Sequence, residues 1–562
     1  MLFIGIIFGQ ITSPVFGQTV PLSCIKVDTY PCVLDEDYIV EEFVIGLSFP
    51  TAMTFLGDDI LVLEKNGTVR HATYNGQLVR EPVLSLDVYS HVEAGLLGIE
   101  SIDSDVYLSF TASVEGDASS PESYVIYRYS WDGTKLLSPQ LIKILKHPLT
   151  EWGSHMGGAM ATGLDKELYF VDGDFGPSPY RNMTQSLDYS DGIFNSTSNV
   201  VEVDPKKYLE NGDFTYGTIL KILPNEELHS VGIRNSFGLA VDPLTGNLWE
   251  SENGTMDYDE INLMPDHSDS GWPPFMGPQM IYPSIPLEPI SDFVYSDPEF
   301  SWEKPVAPTG LSFVEDSFKK YENWLFVSDC NYGNLYKFQL NEKRDGFIFK
   351  SSEFIDFVQN IDDSNEEILF GTKFGCITDI EFHSDGLYVV SITEGKIYKI
   401  SPAHPDSPST QIKNGVSKNK ILCSFGLVPI ERLSNGLIYC VKPFSVHPLV
   451  EHGWGDVSGE LPHINLQNQD LKYINLQNMT LIGANLLGTD LSCADLSGAN
   501  LYGAKVSGSH LTGVNFTGTN LTDVVKLSEA KPDGIGLHIQ ERFLSMDLVT
   551  DDSHIVAYAC IE

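Results

Sequence analysis

The sequence predicts an all-β chain: a six-bladed β-propeller, a small disulfide-closed unit, then a short right-handed quadrilateral β-helix. Three observations predict it. Between residues 40 and 402 a strand-opening apolar pair recurs six times, at Ile60-Leu61, Val106-Tyr107, Leu168-Tyr169, Leu248-Trp249, Leu325-Phe326 and Leu387-Tyr388. From Leu466 onward every fifth residue is apolar, a period that belongs to neither an ordinary helix nor a flat strand. Helical periodicity is scarce, and the 48 glycines and 31 prolines follow no period, which suits a turn-rich β protein.

The elements follow in chain order. Residues 1–17 pair a short apolar run with Val15-Phe16-Gly17, the pattern of a secretory signal peptide cleaved after Gly17. This leader lacks Lys or Arg, and a short buried strand is the competing reading. Residues 18–39 form an N-terminal extension. Residues 40–402 hold the six recurrences, several followed by a turn and a second strand, as at Asn66-Gly67-Thr68-Val69-Arg70 and Gly395-Lys396-Ile397-Tyr398. Their uneven spacing of 46, 62, 80, 77 and 62 residues predicts blades with loops of different lengths. A double β-sandwich is the alternative. Residues 403–463 open with a Pro/Ser-rich linker and continue into a unit where Cys423 and Cys440 bracket a hairpin turning near Asn435-Gly436. Residues 464–523 hold the five-residue repeat, from Leu466 to Leu521, with small residues such as Ala484, Ala494, Ala499 and Ala504 two places ahead of the apolar one. Residues 524–562 are the expected C-terminal cap, since a rod with open ends needs covering.

Charge excludes some functions. There are 77 Asp and Glu against 34 Lys and Arg, a net charge of −43. A nucleic-acid binder needs a basic footprint, and an anionic membrane would repel this chain. No internal run approaches the ~20 apolar residues of a membrane-spanning helix. Eight cysteines occur without any C-x-x-C, so tetrahedral zinc and thioredoxin chemistry lack support. Two local disulfides, Cys24–Cys32 and Cys423–Cys440, are expected in a secreted or extracytoplasmic protein, with Cys330, Cys376, Cys493 and Cys560 scattered. Seven N-x-S/T sites permit glycosylation.

Three segments carry the candidate chemistry; P-loop, zincin and serine-hydrolase signatures are absent from the sequence. The first is Ser154-His155-Met156-Gly157-Gly158 with Asp172-Gly173-Asp174. A His and a later Asp at a strand end can form an imidazole–carboxylate pair that fixes the tautomer and raises basicity. The second is Gly232-Ile233-Arg234-Asn235. The third runs from Glu252-Asn253-Gly254-Thr255 to Asp259-Glu260-Ile261-Asn262 and ends at Gly271-Trp272-Pro273, a set of carboxylates and turn carbonyls suited to Ca²⁺. Competing structural readings are a His held for packing, turn capping by Asp259-Glu260, an inter-blade ion pair for Arg234, and a core role for Trp302.

Together with Glu93-Ala94-Gly95-Leu96-Leu97-Gly98 and Trp302 to Gly310, these segments resemble the glucose/sorbosone dehydrogenases, secreted propellers that use pyrroloquinoline quinone (PQQ) and calcium. The C-terminal repeat resembles the pentapeptide-repeat family. The first resemblance implies an oxidoreductase acting on an aldose or related alcohol and passing electrons to an external acceptor. It implies His155 as general base oriented by Asp174, Arg234 and Asn235 on the quinone with Arg234 stabilising developing charge, and Glu93 near the cofactor. It implies that the Gly254 and Thr255 carbonyls hold the cofactor's calcium and that Glu260 ligates a neighbouring one. The chain departs from that pattern where the family carries a Lys and an Arg-x-Arg-Asp: Asn331 and Cys376-Ile377-Thr378-Asp379 stand there, with Lys373 nearby as a partial substitute. Thr255 replaces a Pro and Ser270 a Tyr. These departures motivate the alternative of a binding propeller that has lost PQQ, with the pentapeptide rod as spacer or protein-binding surface.

Overall fold

The computed structural model describes residues 31–145, 154–175, 217–403 and 407–413 apart from short gaps, the hairpin around 428–441, and scattered positions from 466 to 524. The expected leader, and nearly all of the expected cap, lie outside the described residues.

The arrangement is all-β and propeller-like. Among the described residues, six sheets of four to six strands follow one another along the chain. Their first strands are Pro50–Leu56, Leu96–Ile102, Gly157–Thr162, Ser236–Val241, Pro308–Phe313 and Ile377–His383. Each packs beside the next, and Ile377–His383 packs back against Pro50–Leu56.

All six apolar pairs seen in the sequence fall on the second strand of a sheet: Asp59–Glu64, Asp105–Val114, Leu168–Asp172, Leu248–Glu252, Trp324–Asp329 and Gly386–Ser391. The reason is burial. A second strand lies between its sheet-mates and is covered by neighbouring sheets on both faces, so it reads as a continuous apolar run rather than an alternation. Every residue of Leu248–Glu252 and of Gly386–Ser391 is buried.

The last sheet takes strands from both ends of the region. Tyr38–Ile45 pairs antiparallel with Lys396–Pro402, with a register shift between Glu42 and Val44.

Beyond residue 403 the hairpin Val428–Arg432/Leu437–Val441 lies against the repeat. Ile430, Tyr439 and Val441 pack onto the apolar core of the repeat. There Leu481, Leu486, Leu491 and Leu496 are fully buried, and parallel bridges join Asn485 to Lys505, Asp490 to His510, Asp495 to Asn515 and Asn500 to Asn520. The spacing of 20 is four units of five, so each coil stacks on the one four repeats earlier.

The cysteines pair differently from the reading of four as scattered. Cys330 and Cys376 form a disulfide. Cys32 and Cys440 are also disulfide-bonded; Cys24 and Cys423, their expected partners, lie outside the described residues. No helix among the described residues is long and apolar enough to cross a membrane.

Candidate active site

The predicted residues converge because of where they sit in their sheets. His155 and Arg234 each stand two residues before a first strand, Gly157–Thr162 and Ser236–Val241. Asp174 and Gly254 each stand two residues past a second strand, Leu168–Asp172 and Leu248–Glu252. Glu93 precedes the first strand Leu96–Ile102. Repeated offsets therefore deliver side chains from successive sheets to a shared mouth.

The contacts are short. His155 Nδ1 lies 2.5 Å from Asp174 Oδ1. A carboxylate only accepts, so this contact places the imidazole proton on Nδ1 and leaves a lone pair on Nε2. Arg234 Nη2 lies 2.9 Å from that Nε2. Arg234 Nη1 donates to the carbonyls of Asn253 and Gly254, at 2.7 and 2.6 Å. Trp272 Nε1 donates to Asp174 Oδ2 at 3.0 Å, and the guanidinium sits 5.6 Å from the Trp272 ring centroid. Glu93 Oε2 accepts from the His155 backbone N–H at 2.5 Å and from Asn235 Nδ2 at 3.4 Å. Burial pushes the Arg234 guanidinium below its ordinary pKa against the pull of Asp174, Glu252 and Glu93.

The backbone at the site is constrained. His155 and Phe175 both hold left-handed conformations, φ 55° and 58°, which cost a non-glycine residue of order 1–2 kcal/mol. Phe175 N–H closes on the His155 carbonyl at 3.2 Å. Gly173 is required between them: a Cβ there would lie 2.1 Å from the His155 carbonyl oxygen.

Behind this mouth lie three buried carboxylates. Asn262 Nδ2 is shared by Glu250 Oε1, Glu252 Oε2 and Glu260 Oε2 at 2.9, 3.4 and 3.1 Å. Glu260 Oε1 accepts from the Gly277 N–H, and Glu250 Oε2 is buried without a partner among the described residues. Burial raises the Glu260 carboxyl to about 8 and raises Glu252 well above the usual range. Asp259 is a staple, its oxygens accepting from the Gly254, Val306 and Ala307 N–H groups at 2.7 Å each. Trp302 is core, 1% exposed.

Thus Glu93, His155, Asp174, Arg234, Asn235 and the Gly254 carbonyl come together, Glu260 faces the neighbouring acid cluster, and Thr255 makes no described contact with either. Sequence reasoning missed Trp272 and Glu252 as partners of the site. Both stand inside the segment that drew attention, but their indole and carboxylate read equally well as packing and capping.

A family model, Glucose / Sorbosone dehydrogenase, matches residues 47–399, well over half of the chain. The chain belongs to the glucose/sorbosone dehydrogenase family. Eight copies of the pentapeptide repeat match over 463–498 and 494–525. An aldose sugar dehydrogenase of Escherichia coli K12 is 26% identical over 324 residues, 55% of this chain and 81% of that protein. The hedgehog-interacting protein of Mus musculus is 25% identical over 185 residues, 29% of this chain and 25% of that protein. A solved structure of the PQQ-bound form of aldose sugar dehydrogenase from Streptomyces coelicolor covers 65% of this chain and 99% of its own, at 19% identity and a TM-score of 0.44.

Whether this member of the glucose/sorbosone dehydrogenases suits the quinone can be tested on its donors. One part fits: Arg234 is a multiple donor, and Asn235 Oδ1 is buried with no partner among the described residues, an acceptor beside it. The segments at Asn331 and Thr378-Asp379 are different. Asn331 Nδ2 donates to the Pro305 carbonyl, Thr378 Oγ1 to the Pro50 carbonyl, and Asp379 Oδ2 accepts from the Met53 N–H. These three side chains, at or beside the positions where the resemblance implied cations, bond to backbone, and a disulfide joins the neighbouring Cys330 and Cys376. Lys373 is exposed nearby. For calcium, the Asn253 and Gly254 carbonyls already converge on a cation, the guanidinium, which marks that point as electronegative. Among the described residues no group of three or more His, Cys, Asp or Glu is arranged to hold a metal ion.

Proposed function

We propose that this chain is a secreted, PQQ- and calcium-dependent oxidoreductase that oxidises an aldose or related alcohol and passes electrons to an external acceptor. Its fold on this reading is a closed six-bladed propeller followed by a right-handed quadrilateral β-helix. The observation that carries the reading is the Asp174–His155–Arg234 line, with 2.5 and 2.9 Å between successive partners. When bound, the quinone supplies the two-electron oxidant. The chain's own residues do the rest. His155 Nε2 takes the proton of the substrate hydroxyl, and Asp174 stabilises the imidazolium that results. Arg234, released from Nε2, faces the negative charge that develops on the oxidant's oxygen. Asn235 and Glu93 shape the pocket beside it. The carbonyls of Gly254 and Thr255 would hold the cofactor's calcium, and Glu260 a neighbouring one.

The test is a titration of purified protein with PQQ in calcium, followed by quinone absorbance, then addition of an aldose panel. Stoichiometric binding and sugar-driven bleaching support the reading. Absence of binding at micromolar cofactor points to the second reading, a non-catalytic binding propeller. The observation that favours it is that Asn331 and Thr378, neutral side chains, bond to backbone carbonyls, so a carboxylate-bearing ligand there would be poorly compensated by them.

A further inference from the structure

The repeat does not hang free of the propeller. Lys505, in the last full coil, is buried. Its Nζ donates to the Glu42 carbonyl at 2.9 Å and to the Phe43 carbonyl. It also lies 5.6 Å from the Phe43 ring centroid. Lys399 lies 5.4 Å from the same ring centroid, its Nζ held 2.5 Å from Asp385. The receiving point is a defect in the sheet. Tyr38–Ile45 shifts register against Lys396–Pro402 between Glu42 and Val44. A bulge leaves ladder groups unpaired, and buried carbonyls without a donor are costly. One ammonium, with three donors, serves both.

The contact uses one face of the rod. Asn485 is bridged to Lys505 and therefore shares its face one coil away. Asn485 Nδ2 lies 3.5 Å from Glu41 Oε2, and a Cβ on Gly503 would sit 3.7 Å from the Gln77 side chain. At the equivalent corners of the other faces stand His510, Asn515 and Asn520, so the lysine is particular to the face that docks.

The strand it grips is the one that closes the ring. Tyr38–Ile45 is the outer strand of the sole described sheet built from both ends of the propeller sequence. It is an edge, held to its sheet on one side, and an uncovered edge is both a weak point and a site of wrong pairing. We propose that the pentapeptide rod is a clasp, docking in the same molecule through its Asn485/Lys505 face onto the Glu42–Phe43 bulge and holding the N-terminal strand in the last sheet.

Amide hydrogen exchange on the full-length chain tests this. In Lys505→Met, exchange of residues 38–45 should rise at least tenfold, while residues 96–145, in a distant sheet, stay unchanged. Lys505→Arg, which keeps a cation and several donors, should remain within a few-fold of the parent. Unchanged exchange over residues 38–45 in a folded Lys505→Met protein overturns the clasp. A second measurement leaves Lys505 in place: Glu41→Cys/Asn485→Cys treated with a short bismaleimide. Crosslinking within a monomer supports the proposal. Crosslinking only between two copies, or none, overturns it, and this arm decides if Lys505→Met fails to fold.

Discussion

Arg234 Nη2 lies 2.9 Å from His155 Nε2, on the one lone pair that the Asp174 contact leaves on the imidazole. The imidazole and the guanidinium are therefore each other's partner. A substrate hydroxyl cannot reach Nε2 until the guanidinium gives it up. Giving it up costs the Nη2–Nε2 contact alone, since Nη1 keeps the Asn253 and Gly254 carbonyls, so a new acceptor for Nη2 is what the exchange needs. On the proposed reading an anionic oxygen on the oxidant would be such a partner, which would couple cofactor binding to the freeing of His155 Nε2.

His155→Ala should lower sugar turnover by about 10²–10⁴, the usual worth of a positioned general base. PQQ affinity should stay within a few-fold, because the side chain removed is not a cofactor donor on this reading. Dye-linked steady-state kinetics with a parallel quinone titration reads both. Unaltered turnover would remove His155 from the mechanism.

Arg234→Lys should cost more than a charge-conserving change usually does. An ammonium cannot span two carbonyls and Nε2 as a planar fork does. Turnover should fall roughly 10²-fold, as for loss of an oxyanion donor. Quinone affinity should fall as well, and that joint loss separates this variant from His155→Ala.

Trp272→Phe tests a positioning role. It keeps the ring near Arg234 and deletes only the Nε1–Asp174 bond of 3.0 Å. A hydrogen bond to a charged group contributes about 1.5–3 kcal/mol, so kcat should drop roughly 10- to 100-fold with KM little changed. The pH profile of kcat should move, since Asp174 then orients the imidazole with one bond fewer; a flat response would make Trp272 a packing residue alone.

Much of this arrangement was legible in the sequence, and the reasons are specific. The six apolar pairs were visible because doubly buried second strands lose their alternation, as in Leu248–Glu252. His155, Asp174, Arg234 and Asn235 were visible because glycines and turns flank them. The Cys330–Cys376 bond was not, because its two residues are 46 apart and belong to different sheets. Nothing local links a second-strand end to the start of the next first strand. Lys505 was hidden for a similar reason: in the repeat it reads as one more outward polar residue, and its partner is a bulge 463 residues earlier.

Removing the Cys330–Cys376 bond should destabilise the propeller rather than open the active site. A closed loop of 46 residues gives about 4 kcal/mol in the chain-entropy account. Cys330→Ala/Cys376→Ala should therefore melt several degrees lower. Quinone affinity should hold, because Asn331 and Thr378 keep their bonds to Pro305 and Pro50. Calorimetry and the quinone titration on one preparation check both halves.

Acid stability should depend on His229. Its ring is 8% exposed, set edge-on to Tyr169 at 5.2 Å, with Nδ1 2.7 Å from Ser230 Oγ. Burial disfavours the imidazolium and lowers its pKa to about 4 from an ordinary 6.5. The sign follows from proton uptake. Between those values the unfolded chain binds a proton that the folded chain refuses, so the unfolded state gains as pH falls. The stability His229 contributes is whole above about 6.5 and is lost progressively down to about 4, roughly 3 kcal/mol in all. His229→Phe keeps the volume and the contact with Tyr169 and has no proton to take up. Denaturant melts at pH 7.5, 5.5 and 4 should show the parent losing more stability than the variant over that range. Parallel losses would mean that another group, and not this histidine, sets the acid limit.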